Sequence, residues 1–471
     1  MPHRKHPIFP CPYTADTIYF GFILGRLLNY RSRQAFLLGS SLTVLVDMAA
    51  QDEVPFPWDL GVFDAHCHPT DTMTSIASIP LMRARTLTVM ATRGEDQDLV
   101  LQVASELGTE RETDPAAPTA SQQQGQGEIG RVLPCFGWHP WFSHQIIDDI
   151  SSASGESQRQ EGGGRDDTDT KRAKIAHYKK VLTPSTDDQS FFLSLPDPKP
   201  LSALISETRE RLNAHPYALV GEIGLDRAFR LPNPWMQEEL AGRDASLTPG
   251  SREGRKLSPY RVQATHQRAV FRAQLRLAGE LRRAVSVHSV QAHGAVFEVL
   301  QELWKGHERK VPSRRERRRR GSAAGAHELS DAEDETTHRA DAESSNSATR
   351  KPLVSTTPSE PLPFPPRICM HSYSGPAEPI KQFLRPSIPS DVYFSFSSVI
   401  NFTNPSADKV VEVIKTLPDD RILIESDLHC AGQQMDELLE QIARTICRLR
   451  GWDLHEGVKR LAENWHRFVF G

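Results

Sequence analysis

Short apolar runs rich in β-branched residues recur along the chain, and stretches with helical spacing separate several of them. Eight such runs occur, at 61–65, 86–91, 132–137, 218–223, 284–287, 367–370, 392–397 and 421–424. Helical spacing of apolar residues follows at 267–281, 292–304, 410–417 and 435–449. Apolar strands alternating with helices are typical of a parallel sheet covered on both faces. Eight units of this kind predict an α/β fold, a (β/α)₈ TIM barrel with its chemistry on the loops that follow the strands.

Three polar stretches interrupt this pattern, at 109–130, 151–168 and 306–366. Segments of this composition bury too little apolar surface to offset the entropy of ordering, so they predict long disordered insertions. The third contains an arginine-rich run at 314–320 and an acidic run at 331–335. Binding of nucleic acid and nuclear import are both open for the basic run, although a solvated loop beside its acidic counterpart is favoured.

The first 47 residues differ from the remainder and form a predicted extension of uncertain status, leaving 48–471 as the barrel. Two apolar stretches occur there, one cut by Arg26 and the other by a Gly-Ser-Ser. Neither reaches the roughly 20 residues that a membrane span needs. A loose extension and a true start at Met48 both remain open. We expect no membrane association and a location in the cytoplasm, the nucleus or both.

Composition narrows the classes of function. The chain has 56 Lys and Arg against 60 Asp and Glu, a net charge of −4. This balance argues against a protein that coats nucleic acid through bulk positive charge. The six cysteines are scattered without a CxxC pair, which argues against a structural zinc site.

The ends of five predicted strands carry imidazoles or carboxylates. Residues two apart on a strand point to the same side, so the pair in a His-x-His motif can share one metal ion. A carboxylate in an apolar strand needs a cation or another strong partner. Each residue alone could be a satisfied core polar group, but together the set predicts a metal centre: His66, His68, Glu222, His288, His371 and Asp427.

The chemistry of this set suits hard or borderline cations. Imidazole nitrogens and carboxylate oxygens are ligands for Zn²⁺, Mn²⁺ or Mg²⁺, and no cysteine stands among the predicted ligands. Six donors are enough for one ion or for two. The residue types alone therefore predict a divalent-metal site without fixing the number of ions.

The order of these motifs strongly resembles the TatD family of metal-dependent deoxyribonucleases, in the amidohydrolase superfamily. The resemblance covers about 63–471 apart from the insertions, and long polar insertions are a feature of the family's fungal members. The motifs that carry it are His-x-His, Gly-Glu-Ile-Gly-Leu-Asp, Val-His-Ser, His-Ser-Tyr-Ser-Gly, Glu-Ser-Asp, Gly-Trp-His-Pro and the closing Asn-Trp-His-Arg-Phe-Val-Phe-Gly.

What the resemblance implies is a hydrolase with two divalent metal ions that cleaves phosphodiester bonds in DNA. Single-stranded ends are the expected substrate, because a net charge of −4 fits a pocket that takes one strand end better than a surface that grips a duplex. His66, His68 and Asp427 would hold the first ion and His288 and His371 the second, with Glu222 bridging them. Asp427 would also be the general base, which makes it and Glu222 the catalytic pair. Three further residues are candidate substrate contacts: His139, Asp226 and Tyr373. A helix-capping role is open for His139 and Asp226.

One departure from the family pattern affects the substrate. The family usually carries an arginine two residues after the strand-five histidine, where this chain has Val290. Its absence removes a potential phosphate contact. Two alternatives to the nuclease therefore stay open. The same site could hydrolyse an amide or another bond outside nucleic acids. The barrel could also be catalytically weak and act, through 306–366, as a protein partner of the cell-cycle machinery with which the fungal branch is associated.

Overall fold

A computed structural model describes residues 54–108, 130–151, 167–311, 360–403 and 407–471. Eight parallel strands form one sheet whose spatial order follows the chain. Their bounds confirm the eight predicted runs: β1 Phe63–Cys67, β2 Thr86–Met90, β3 Val132–Phe136, β4 Leu219–Asp226, β5 Val285–Val290, β6 Arg367–Met370, β7 Asp391–Phe396 and β8 Ile422–Ile424. The predicted extension 1–47 lies outside the described residues, as does most of the three predicted insertions.

Helices cover the outside of the sheet, which confirms the predicted (β/α)₈ barrel. The four stretches with helical spacing lie in helices to within one residue at their ends. The helices are α1 Gly94–Leu107, α2 Asp167–Val181, α3 Gln189–Ser194, α4 Leu201–Ala214, α5 Gln237–Leu240, α6 Ala264–Glu280, α7 His293–Trp304, α8 Ala377–Phe383, α9 Ser398–Phe402, α10 Ala407–Thr416, α11 Gln433–Arg450 and α12 Leu454–Phe470.

The last helix, α12, packs against side chains inside the barrel. Trp465 stacks on Phe63 of β1 with 4.3 Å between ring centroids. Both belong to an inner apolar cluster that includes Cys369 of β6 and Leu423 of β8. A second, larger cluster lies between the strands and the surrounding helices. Because α12 packs at the strand beginnings, the polar strand ends are left at the opposite end of the barrel.

Irregularities in β1 and β4 change which side chains face inward. The register of β1 against β2 shifts between Asp64 and Cys67, and that of β4 against β5 shifts between Val220 and Ile223. Bulges of this kind re-aim side chains and are common beside active sites. In β1, Phe63 before the shift packs in the inner cluster, whereas Cys67 after the shift packs in the outer cluster. The two histidines that flank Cys67 therefore face the interior.

Candidate metal centre

Glu222 lies at the centre of the predicted ligand set, and its two oxygens face different imidazoles. Its Oε1 is 2.7 Å from Nδ1 of His288 and 2.8 Å from Nε2 of His371. Its Oε2 is 3.5 Å from Nε2 of both His66 and His68. The carboxylate thus stands between two pairs of nitrogens, the arrangement that a shared ligand of two ions requires.

Asp427 joins the group on the Oε2 side of Glu222. Its Oδ1 is 3.5 Å from Nε2 of His68 and 3.9 Å from Nε2 of His66. Its backbone N–H donates to the carbonyl of His66 at 3.0 Å, which joins the segment after β8 to β1. The side chain of Asp427 is 14% exposed against 5% for Glu222. Asp427 is therefore the carboxylate that a molecule entering from the barrel mouth reaches first.

The chemistry of these donors fits divalent cations. Nε2 of His66 and Nε2 of His68 are 3.1 Å apart, a distance at which two nitrogen lone pairs repel unless a proton or a cation lies between them. Among the described residues, three groups have their ligand atoms within 4.8 Å of one another: His66, His68 and Asp427; His66, Glu222 and His371; and His139, Glu222 and His288. Nitrogen and oxygen donors this close suit the predicted ions.

The electrostatics of the pocket favour positive charge. Burial raises the pKa of a carboxyl, but the neighbouring imidazoles, His139 first, hold the pKa of Glu222 well below its usual range. Burial is likewise outweighed at Asp427, where the hydrogen bond from His68 brings the pKa to about 2. Burial lowers the pKa of His68, yet Asp427 and Glu222 raise it to about 9. Both carboxylates are therefore ionised, and metal cations would compete with protons for the imidazoles.

Three of the predicted ligand imidazoles have an oxygen behind the nitrogen that faces away from the centre. An acceptor in that position keeps hydrogen on the far nitrogen and leaves the near nitrogen free to bind a metal. The pairs are His66 Nδ1 with Ser286 Oγ at 2.8 Å, His288 Nε2 with Asp226 Oδ2 at 3.1 Å and His371 Nδ1 with Glu425 Oε1 at 3.5 Å. The last is a charge contact rather than a hydrogen bond. The far nitrogens thus orient the rings toward the metal centre.

Glu425 is a residue whose removal should weaken metal binding without removing a ligand. It is fully buried, accepts the backbone N–H of Ser372 at 2.8 Å and the hydroxyl of Ser395 at 2.5 Å, and faces His371. We expect Glu425→Gln to lower the affinity for one ion by about 10–100-fold, because His371 loses the charge behind it. Calorimetric titration of the metal-free protein with Zn²⁺ measures this. Unchanged affinity in a folded variant would contradict the role.

His139 also lies beside Glu222, but its ring hydrogen is on the nitrogen that faces the metal centre. Its Nδ1 accepts the backbone N–H of Trp141 at 3.1 Å, the cap of a 3₁₀ turn over Pro140–Gln145. Burial lowers the pKa of His139 to about 4, so its ring is neutral at pH 7. With Nδ1 accepting, the hydrogen lies on Nε2, 3.2 Å from Oε1 of Glu222. His139 is close enough to share an ion with Glu222, yet this nitrogen is a donor rather than a metal ligand.

The two remaining substrate candidates lie in different places. Asp226 is buried behind His288 and also accepts the indole N–H of Trp141 at 2.6 Å and the backbone N–H of Phe229 at 2.8 Å. It orients a ring and caps a turn. Tyr373 is 1% exposed, and its hydroxyl donates to the carbonyl of Pro376 at 2.9 Å. A substrate does not reach this ring, so the structure removes Tyr373 from the candidate contacts.

Sequence reasoning assigned no role to Ser286 or Glu425, although the strand pattern contained a signal for both. Each lies two positions before a predicted ligand, His288 for the first and Asp427 for the second. Alternation along β5 places Ser286 on the same side as His288, one layer deeper, and Glu425 directly follows β8. Polar residues at that spacing, in otherwise apolar strands, indicate support for the ligands.

An eight-stranded parallel barrel with imidazoles and ionised carboxylates at its strand ends is typical of metal-dependent barrel hydrolases. The family model described as "TatD related DNase" matches residues 63–470. The chain therefore belongs to the TatD family, as its motifs predict. Within the described part of the chain, every helix is too short or too polar to cross a membrane.

Two curated relatives and one solved structure show similarity over most of the chain. The Cut9-interacting protein scn1 of Schizosaccharomyces pombe is 33% identical over 411 residues, 87% of this chain and 98% of the relative. An uncharacterized deoxyribonuclease of Saccharomyces cerevisiae is 25% identical over 71% of this chain and 80% of its own length. YJJV, a TatD homologue from Escherichia coli, is 16% identical with a TM-score of 0.42, covering 87% of this chain and 97% of that protein.

Proposed function

We propose that the protein is a deoxyribonuclease that hydrolyses phosphodiester bonds with two divalent ions, Zn²⁺, Mn²⁺ or Mg²⁺. The observation that carries this proposal is the position of Glu222 between two groups of donors. One ion would be held by His66, His68 and Asp427 and the other by His288 and His371, with Glu222 shared. Such a pair of ions, when bound, lowers the pKa of water and stabilises the charge that develops on phosphate oxygens.

Asp427 is the proposed general base. It is ionised, and it is the more exposed of the two central carboxylates, so the attacking water can lie against its free oxygen. Proton transfer to a positioned carboxylate contributes typically about 10²–10⁴-fold to a rate. Glu222 is enclosed by imidazoles and has no such access, which limits it to holding the ions together.

His139 is the proposed hydrogen-bond donor to the phosphate. Its neutral ring carries the hydrogen on Nε2, 3.2 Å from Oε1 of Glu222. With that oxygen engaged by an ion, the hydrogen would be available to a phosphate oxygen. A donor fixed in this way favours an anionic oxygen and is lost if the ring turns over. Because Val290 replaces the family's arginine, His139 would make a contact to phosphate that is neutral rather than charged.

Single-stranded ends are the proposed form of the DNA. The ligand side chains lie deep in the barrel mouth, where the most exposed, Asp427, shows only 14% of its surface. A phosphodiester in the middle of a duplex is held away from such a recess by the second strand. The end of one strand can enter it.

The test is cleavage of end-labelled single-stranded DNA by the purified protein with Mn²⁺ or Mg²⁺. We expect shortened products that disappear when EDTA removes the metal and return when the metal is restored. The double variant His66→Ala with His68→Ala serves as the inactive control. If DNA stays intact while an amide or ester substrate is hydrolysed, the nuclease proposal is wrong and the protein acts on a different bond, as the wider superfamily does.

A second candidate function is binding to a protein of the cell-cycle machinery. The observation that favours it is the name of the 33% identical relative, a Cut9-interacting protein. The segment 306–366 is the proposed contact region. In cells that depend on the protein, deletion of 306–366 should then abolish function, while His66→Ala with His68→Ala leaves it intact. The reverse pattern would support catalysis.

A further inference from the structure

A segment of 36 residues, 227–262, joins β4 to α6 and is called here the basic excursion. It holds seven lysines and arginines against four aspartates and glutamates, a charge of +3 in a chain whose total is −4. Its composition is otherwise ordinary, with apolar and polar residues mixed. The segment that begins directly after Asp226 is therefore basic within a mildly acidic chain.

The basic excursion extends along one side of the barrel mouth. Its outgoing and returning chains pair, with the N–H of Leu231 donating to the carbonyl of Tyr260 at 2.9 Å. Near its tip, the N–H of Thr248 donates to the carbonyl of Asp71, just after β1, at 2.9 Å. Arg93, just after β2, donates to the carbonyl of Thr248 at 3.2 Å. The excursion thus connects the end of β4 with the ends of β1 and β2 and forms a wall beside the metal centre.

The four acids of the segment leave a surplus of three positive charges. Glu253 pairs with Arg243, and the other three acids, Glu238, Glu239 and Asp244, are exposed. Arg255 donates to the carbonyls of Ser251 and Asn233, which satisfy its N–H groups but not its charge. Arg227 and Lys256 are exposed, and Arg230 is half-buried. This wall therefore presents positive charge to solvent next to a centre proposed to act on a polyanion.

Aromatic rings stand where the excursion leaves the strand. Phe229 stacks on Trp141 at 4.4 Å with an interplanar angle of 11°, and both rings are half-buried. Trp141 is in turn 6.0 Å from the ring of His288. Single-stranded nucleic acid is held by this combination of basic side chains along the backbone and aromatic faces for the bases.

We propose that the basic excursion binds the single DNA strand that leads into the metal centre. The strand's phosphates lie along Arg227, Arg230 and Lys256, and a base near the scissile bond stacks beside Phe229. This inference rests on the proposed nuclease function and adds to it the surface that holds the rest of the substrate. The basic excursion would also compensate for the missing arginine at Val290, because its side chains supply phosphate contacts that the end of β5 lacks.

The test removes charge from this wall and measures binding without cleavage. The variant is Arg227→Gln, Arg230→Gln and Lys256→Gln together, in the metal-loaded protein. The ligand is a fluorescent single strand about 16 nucleotides long, with phosphorothioate linkages that resist hydrolysis. We expect affinity at low salt to fall about tenfold or more. The slope of log Kd against log salt should fall by about 2, since each lost contact to a single strand contributes about 0.7.

The matched control removes three positive charges from the outside of the barrel, by Lys409→Gln, Lys415→Gln and Lys459→Gln. It should bind the strand as the wild type does. Hydrolysis of bis(p-nitrophenyl) phosphate, a diester with no strand to hold, should be equal in all three proteins. Unchanged strand binding in the excursion variant, or an equal loss in the control, would overturn the inference. If the wild type hydrolyses neither DNA nor the small diester, the nuclease proposal is overturned instead.

Discussion

Glu222→Gln is expected to lower the metal content below two ions per chain and to lower phosphodiester hydrolysis by at least about a thousandfold. Such a loss corresponds to about 4 kcal/mol in activation free energy. Elemental mass spectrometry on the purified variant gives the number of ions per chain, and the DNA assay gives the rate. Both quantities should fall together.

The physical reason is that Glu222 faces all four of the predicted histidine ligands. Its two oxygens lie 2.7–3.5 Å from nitrogens of His66, His68, His288 and His371. The glutamine amide keeps one acceptor oxygen but replaces the other with an NH₂ group, which has only hydrogens to offer. One ion would lose a ligand outright, and the other would keep a neutral oxygen where a carboxylate stood.

The matched control is Glu298→Gln, the same chemical change at an exposed residue of α7 that pairs with Arg268 of α6. It should keep both ions and full activity, because a surface ion pair contributes little to stability. A Glu222→Gln protein that still carries two ions per chain would contradict the bridging role. Circular dichroism of both variants shows whether any loss follows from unfolding.

The ligands of the centre could be predicted because each follows an apolar strand. His288 follows Val285 and Val287, which belong to the outer cluster, so alternation alone turns it inward. His371 follows β6 in the same way, with Met370 in the outer cluster and Cys369 in the inner one. At these two strands, sequence spacing is enough to predict where the side chain points.

The other two ligand strands could not be predicted so simply. Phe63 and Ala65 of β1 both pack in the inner cluster, and regular alternation from them would turn His66 outward. The shift between Asp64 and Cys67 reverses this. In β4, Leu219 packs inward and a shift before Ile223 turns Glu222 inward. A bulge depends on hydrogen bonds to the neighbouring strand, which a single sequence does not contain.

Tyr373 was predicted as a substrate contact but lies in the core, whereas the basic excursion was not predicted at all. The chain turns at Ser372, which has a φ of 39°, and this turn carries Tyr373 into the core instead of toward the mouth. Position after a strand does not show such a turn. The excursion 227–262 has neither low complexity nor a run of one charge. Its place at the mouth comes from tertiary contacts such as that of Thr248 with Asp71.

Asp427→Asn is expected to lower turnover by about 10²–10⁴-fold while leaving the fold intact. The amide cannot accept the proton that a general base must take, and it loses the negative charge that faces His68. Asn suits the position because Asp427 has a φ of 55°, a left-handed conformation that Asn adopts more readily than most residues. Its backbone hydrogen bond to His66 is unaffected by the change. Single-turnover cleavage of labelled DNA measures the chemical step.

Metal content distinguishes the two roles of Asp427. With Glu222, His66 and His68 unchanged, the variant should retain at least one ion per chain when metal is in excess, so a rate loss at full occupancy reports the missing base. The control is Asp420→Asn, an exposed aspartate before β8 at the other end of the barrel, which should match the wild type. If Asp427→Asn is as active as the wild type when loaded, another group accepts the proton. If it unfolds in circular dichroism, the carboxylate is chiefly structural.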